Sequence, residues 1–277
     1  MLALNDHVAI AFQPLRNTAG HLPAPESLAK KLRSIVQAAT SDVERVSPSV
    51  TSLFASASVE IWSRGVHSFL ISSSVTRSSS LWASVAGYYA SHYAVRAFAH
   101  LLGYFQVYTE KKIVRIEVDG SHHLCTITKK TGGDAEHKLY WRLVKRSTEF
   151  STDPFFMFNV DKADISDLAH RGFANYADHV NRIEEFSCLD EAVLKSRIEH
   201  LSSIELSSVP VPDRRHYPDI ESVQLIAYHR LVKFRSLLDD ILGSRNKFWN
   251  AQRSPRWCAN FVDFQVVTPR FVSAYRT

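Results

Sequence analysis

His92, Arg96 and His100 recur every four residues, with Tyr89 and Tyr93 beside them. On an α-helix that spacing brings successive side chains together on one face. The chemistry such a face can perform is that of a metal-independent ribonuclease. A histidine takes or donates the 2′-hydroxyl proton, an arginine stabilises charge building on the phosphate, and tyrosines stack on bases. The expected catalytic set is therefore His92, Arg96 and His100, with either histidine as acid/base and Arg96 as the phosphate contact; Tyr89 and Tyr93 are the expected stacking residues. An ordinary bundle would use the same side chains to bond neighbouring helices.

Charge points the same way. Residues 213–277 hold eleven Lys and Arg against six Asp and Glu, so the final quarter carries the whole net charge of +5. A basic end suits a phosphate backbone or an acidic partner, and Arg214, Arg215, Arg253 and Arg256 join the expected nucleic-acid-binding residues. Other chemistries find no support. Among thirteen histidines, the adjacent His122 and His123 fall in a hairpin turn where neighbouring side chains diverge, and His92 and His100 are two turns apart, so no metal is expected. Cys125, Cys188 and Cys258 have no paired spacing and are read as reduced and structural. No phosphate-cradling glycine loop and no Gly-x-Ser-x-Gly elbow occurs, which argues against nucleotide motors, dinucleotide enzymes and α/β-hydrolases. No cofactor is expected.

The element that must position the candidate face is one long helix over 78–103. Leu81, Val85, Tyr88, Ser91, Val95, Phe98 and Leu102 recur at steps of three and four and form its buried stripe. Ser78 to Ser80 supply the N-cap and Gly103 the C′ position. Before it come an irregular N-terminal arm with a short strand at His7 to Phe12, a helix from Pro25 to Ala39, and a helix from Val50 to Ser68. After Gly103 the period falls to two: Val114, Ile116 and Val118, then Cys125 and Ile127, then Leu139, Trp141 and Leu143 predict three antiparallel strands. Helical periodicity resumes over 165–186, 189–201 and 220–242.

The run from Tyr88 to Gly103, Tyr-Tyr-Ala-Ser-His-Tyr-Ala-Val-Arg-Ala-Phe-Ala-His-Leu-Leu-Gly, resembles the aromatic-rich helix of HEPN-type proteins (higher eukaryotes and prokaryotes nucleotide-binding). Arg171-Gly172-Phe173-Ala174-Asn175-Tyr176 is similar to a segment in a later helix of such bundles. The resemblance covers about 40 residues of the chain's 277 and implies a bacterial toxin or antiviral-defence component, in its active form a metal-independent ribonuclease working as a dimer. In that family the arginine and histidine are separated by four to six residues; Arg96 and His100 are separated by three, a departure from the motif.

The expected fold is mainly α: a helical bundle with an inserted three-stranded antiparallel β meander. Its parts are residues 1–103 (arm and first bundle helices), 104–150 (meander), 151–243 (remaining bundle helices) and 244–277 (basic, aromatic end). The expected function is that of a HEPN-like protein acting on RNA or another nucleic acid, with a homodimer implied by the composite site. The alternative is a non-catalytic subunit that docks on a larger nuclease, ATPase or nucleotidyltransferase partner. No apolar run approaches the roughly 20 residues that span a bilayer, and the N-terminus lacks the features of a secretory leader, so no membrane and a cytoplasmic location are expected.

Overall fold

The computed structural model describes residues 4–13, 25–129, 136–145, 147 and 220–242, together with helical residues 196, 197, 199–201 and 203. In chain order the elements are α1 (Leu4–Phe12), α2 (Pro25–Ala38), β1 (Val43–Val46), α3 (Pro48–Ser74), α4 (Ser80–Leu101), β2 (Tyr104–Val107), β3 (Lys112–Asp119), β4 (His122–Lys129), α5 (Glu136–Lys145) and α6 (Ile220–Leu242). The architecture is a helical bundle joined to one antiparallel sheet of four strands, ordered β1-β4-β3-β2.

Local chemistry explains the boundaries. Ser47 caps α3, its Oγ accepting from Ser49 N at 3.3 Å, and Pro48 occupies the first turn, where a missing N–H is harmless. The helix expected over Val50 to Ser68 starts at Pro48 and runs on through serines to Ser74. Ser74 Oγ donates to Leu70 O at 2.8 Å, and Ser72 Oγ donates across to Ala83 O of α4 at 2.6 Å, so these hydroxyls are satisfied without leaving helical geometry. Ser79 then caps α4 by accepting from Trp82 N at 3.2 Å.

Three expectations need correction. The strand at His7 to Phe12 is the helix α1: Leu4, Val8 and Ala11 lie at i, i+4 and i+7, and Val8 and Ala11 are buried in the core. The strand at Leu139 to Leu143 is α5. Alternating residues 139, 141 and 143 concealed the stronger i, i+4 pair Tyr140 and Val144, both fully buried. The sheet has four strands and not three, because β2 and β1 join the two alternating segments β3 and β4; β1 comes from before α3, so the sheet is not confined to 104–150. The expected helices over 25–39 and 220–242 are present as α2 and α6. The helix over 165–186, the segment Arg171 to Tyr176 and the basic end 244–277 lie outside the described residues.

Two apolar cores result. One lies among α1, α3, α4, α5 and α6, where Trp62 stacks on Phe234 with ring centroids 5.9 Å apart and its Nε1–H donates to Leu231 O at 2.9 Å. Glycine permits the close approach there: a Cβ on Gly65 would stand 2.8 Å from Leu231 Cδ2. The second core lies between the sheet and α2, with the first turns of α3, and contains Leu28, Leu32, Phe54, Phe105, Val114 and Ile116. Phe98 of α4 is fully buried edge-on to Phe234. Phe98→Ala should cost about 3–4 kcal/mol, read as a lowered denaturant midpoint with unchanged slope. Among the described residues no helix is long and apolar enough to cross a membrane.

Candidate functional site

α4 is enclosed by α3, α5, α6 and β2, so burial reaches almost all the way round it. Past Ser80 and Leu81 at its start, its partly exposed residues fall on one narrow stripe. Trp82, Ala86, Tyr89, Tyr93 and Arg96 follow at steps of four, three, four and three, which is one side of a helix. Trp82 is 59 % exposed, and the rings of Tyr89 and Tyr93 lie 6.1 Å apart. The stripe runs about 20 Å along the helix at 1.5 Å per residue. At its far end the Arg96 guanidinium sits over the Tyr140 ring, 5.3 Å from its centroid.

The two histidines point elsewhere. His92 is 2 % exposed and stacks on Tyr88, centroids 6.1 Å apart and planes 7° from parallel. His100 is 1 % exposed and lies where the two cores meet. Phe105 stacks on it at 5.3 Å, while Phe54 at 6.3 Å and Tyr140 at 5.6 Å meet it edge to face. Its Nδ1–H donates to Tyr104 O at 2.8 Å, and among the described residues Nε2 has no hydrogen-bond partner. Burial, reinforced by the nearby Arg96 charge and only partly opposed by the bond to Tyr104, lowers its pKa to about 3. This imidazole is neutral near pH 7. The structure therefore brings Tyr89, Tyr93 and Arg96 to the surface stripe together and turns His92 and His100 inward. Arg214, Arg215, Arg253 and Arg256 lie outside the described residues.

Some residues of this region escape a reading by charge and apolar period. Trp82 belongs to the exposed stripe, and its four- and three-residue steps to Ala86 and Tyr89 were the available signal. Arg230, counted with the basic end, is fully buried: its Nη1 donates to Ser91 Oγ at 2.8 Å and its guanidinium covers the Trp141 ring at 4.3 Å. It falls four residues after Ile226 and four before Phe234, on the core stripe of α6, so position and not residue type marked it. Its neighbour His229 has a pKa lowered by burial to about 4. On α5, Lys138, Arg142 and Lys145 are partly exposed. Burial pushes the Cys125 thiol up to about 11, so it is an unreactive core group. Among the described residues no three His, Cys, Asp or Glu side chains gather where they would hold a metal ion.

Fold and geometry thus define an α+β helical bundle with an aromatic, basic stripe on its central helix. No family model matches the sequence, no curated protein matches it, and no solved structure matches the fold.

Proposed function

We propose that this chain is a HEPN-like scaffold that binds single-stranded RNA without cutting it. The observation that carries the reading is the division of labour on α4. Tyr89, Tyr93 and Arg96, with Trp82, form the partly exposed stripe, whereas the histidines that would supply acid/base chemistry are packed inside. Aromatic faces spaced one turn apart suit stacked bases whatever their sequence, and a guanidinium at the end of the row suits a phosphate. The basic residues of α5, which packs on α4, add a favourable long-range field. One observation favours the second reading, a metal-independent ribonuclease: Arg96 lies close enough to His100 to act on its charge.

Titration of the full chain with a fluorescent single-stranded RNA in EDTA tests both. Binding without cleavage is expected. Tyr89→Ala/Tyr93→Ala should weaken it by about 2–4 kcal/mol for two lost stacking platforms, and Arg96→Gln should reduce the dependence of log K on log salt by about 0.7. Cleavage that a folded Arg96→Ala/His100→Ala variant loses would replace this reading with the ribonuclease. Absence of binding would leave a protein-docking scaffold.

A further inference from the structure

Among the described residues β1 forms one edge of the sheet and hydrogen-bonds to β4 alone. One bond sets its phase. Ile127 N donates to Asp42 O at 2.7 Å, and Val43 lies opposite Thr126, so alternate residues Glu44 and Val46 exchange bonds with β4 while the backbone groups of Val43 and Arg45 point outward. The opposite side of the sheet agrees: Ile116 N donates to Gly103 O at 2.9 Å, which leaves Arg115 and Glu117 to bond β4 at Thr126 and Leu124. Ser41 Oγ occupies Val43 O at 2.6 Å. The open groups are then the Val43 N–H and both the N–H and C=O of Arg45, which is the pattern an added strand uses.

Beside this edge is a cavity of about 250 Å³ between α2, β1 and the start of α3. Its apolar walls are Ile35, Ala38, Ala39, Val46 and Val50, with Lys31 and Arg45 bordering it. The pleat puts Glu44 and Val46 on the cavity face and Val43 and Arg45 on the other. Glu44 also lines the cavity, but its carboxylate already accepts from Thr40 N and Ser41 N at 2.8 and 2.9 Å. The exposed charges at this edge are Lys31 and Arg45, both positive, and Asp42, negative; Asp42 shares the parity of Glu44 and Val46, which leaves Arg45 as the charge β1 carries on the face away from the cavity.

We propose that β1 receives an extended segment of a partner protein in which apolar and acidic residues alternate. Its apolar side chains enter the cavity, and its acidic ones lie beside Arg45 on the opposite face, as the period of a strand requires. A second copy of this chain fits poorly. The two-fold register that pairs the outward residues, Val43 opposite Arg45, sets one Glu44 against the other across the new ladder.

The test uses the isotopically labelled full chain and a blocked synthetic peptide of alternating valine and glutamate. Titration should shift the Val43 and Arg45 amides and slow their hydrogen exchange, and a valine–lysine peptide should bind about tenfold or more weakly. Arg45→Pro removes an outward donor and no bond to β4, and it should abolish the effect. Arg45→Glu, which keeps the donor, should weaken acidic-peptide binding and improve that of the lysine peptide. Unshifted β1 amides, or equal binding of both peptides, would overturn the proposal. A concentration-dependent dimer lost on Arg45→Pro would assign the edge to a second copy and overturn it too.

Discussion

Acidification from pH 6.5 to about pH 3 should remove about 4–5 kcal/mol of stability through His100 alone. In the unfolded chain its imidazole titrates near 6.5; in the folded chain burial and Arg96 hold it to about 3. Between those values the unfolded state takes up a proton that the folded state refuses, so stability falls as pH falls, and the contribution is harmless above 6.5. Cause and consequence are both physical. The ring lies in an aromatic enclosure of Phe54, Phe105 and Tyr140, where an imidazolium would lose its hydration. Burial also lowers the pKa of His7, His67, His123 and His229, which adds acid sensitivity of the same sign. Urea midpoints of wild type and His100→Phe across this range separate the shares, because phenylalanine keeps the aromatic volume and loses the titration. The variant starts less stable at pH 7, having lost the bond to Tyr104 O, and should then show a clearly shallower pH slope. Equal slopes would mean that His100 accepts its proton freely, which would return it to the candidates for acid/base chemistry.

Gly103→Ala should be as damaging at neutral pH, at about 4–5 kcal/mol. Gly103 turns the chain from α4 into β2 with φ at +81°, a region in which an L side chain costs about 1–2 kcal/mol. The larger part is steric. A Cβ there would stand 2.2 Å from Ile116 O, whose own residue donates its N–H to Gly103 O at 2.9 Å, so helix end and sheet are already pinned together at backbone distance. Neither partner is a side chain that can swing aside. Gly120 is the internal control: its φ is +57°, but nothing lies within 4 Å of a Cβ built on it. Gly120→Ala should therefore cost only about 1 kcal/mol, the conformational part. Thermal melts of both variants decide the matter, and equal, small losses would show that the α4–β2 junction is not tightly seated on β3.

Much of the local structure was legible in the residues themselves. α4 begins at a serine and stops before a glycine; α6 repeats its apolar residues at helical spacing from Ile220 to Leu242; β3 and β4 alternate around an Asp-Gly turn. Caps, turns and periods act within a few residues, so a linear reading recovers them. α5 shows where that ends, since a segment that alternates over Leu139, Trp141 and Leu143 also places Tyr140 and Val144 one turn apart, and packing against α4 decides for the helix. β1 is beyond local reading altogether: four residues with only two apolar positions become a strand because β4 offers them a ladder from across the fold. The candidate site divides the same way. The spacing of Tyr89, Tyr93 and Arg96 on one helix was determined by sequence. The direction in which His92 and His100 face was decided by how many neighbours surround that helix, because a polar side chain is solvated or buried according to what packs against it, and beyond its first two residues α3, α5, α6 and β2 leave α4 one narrow stripe of contact with water.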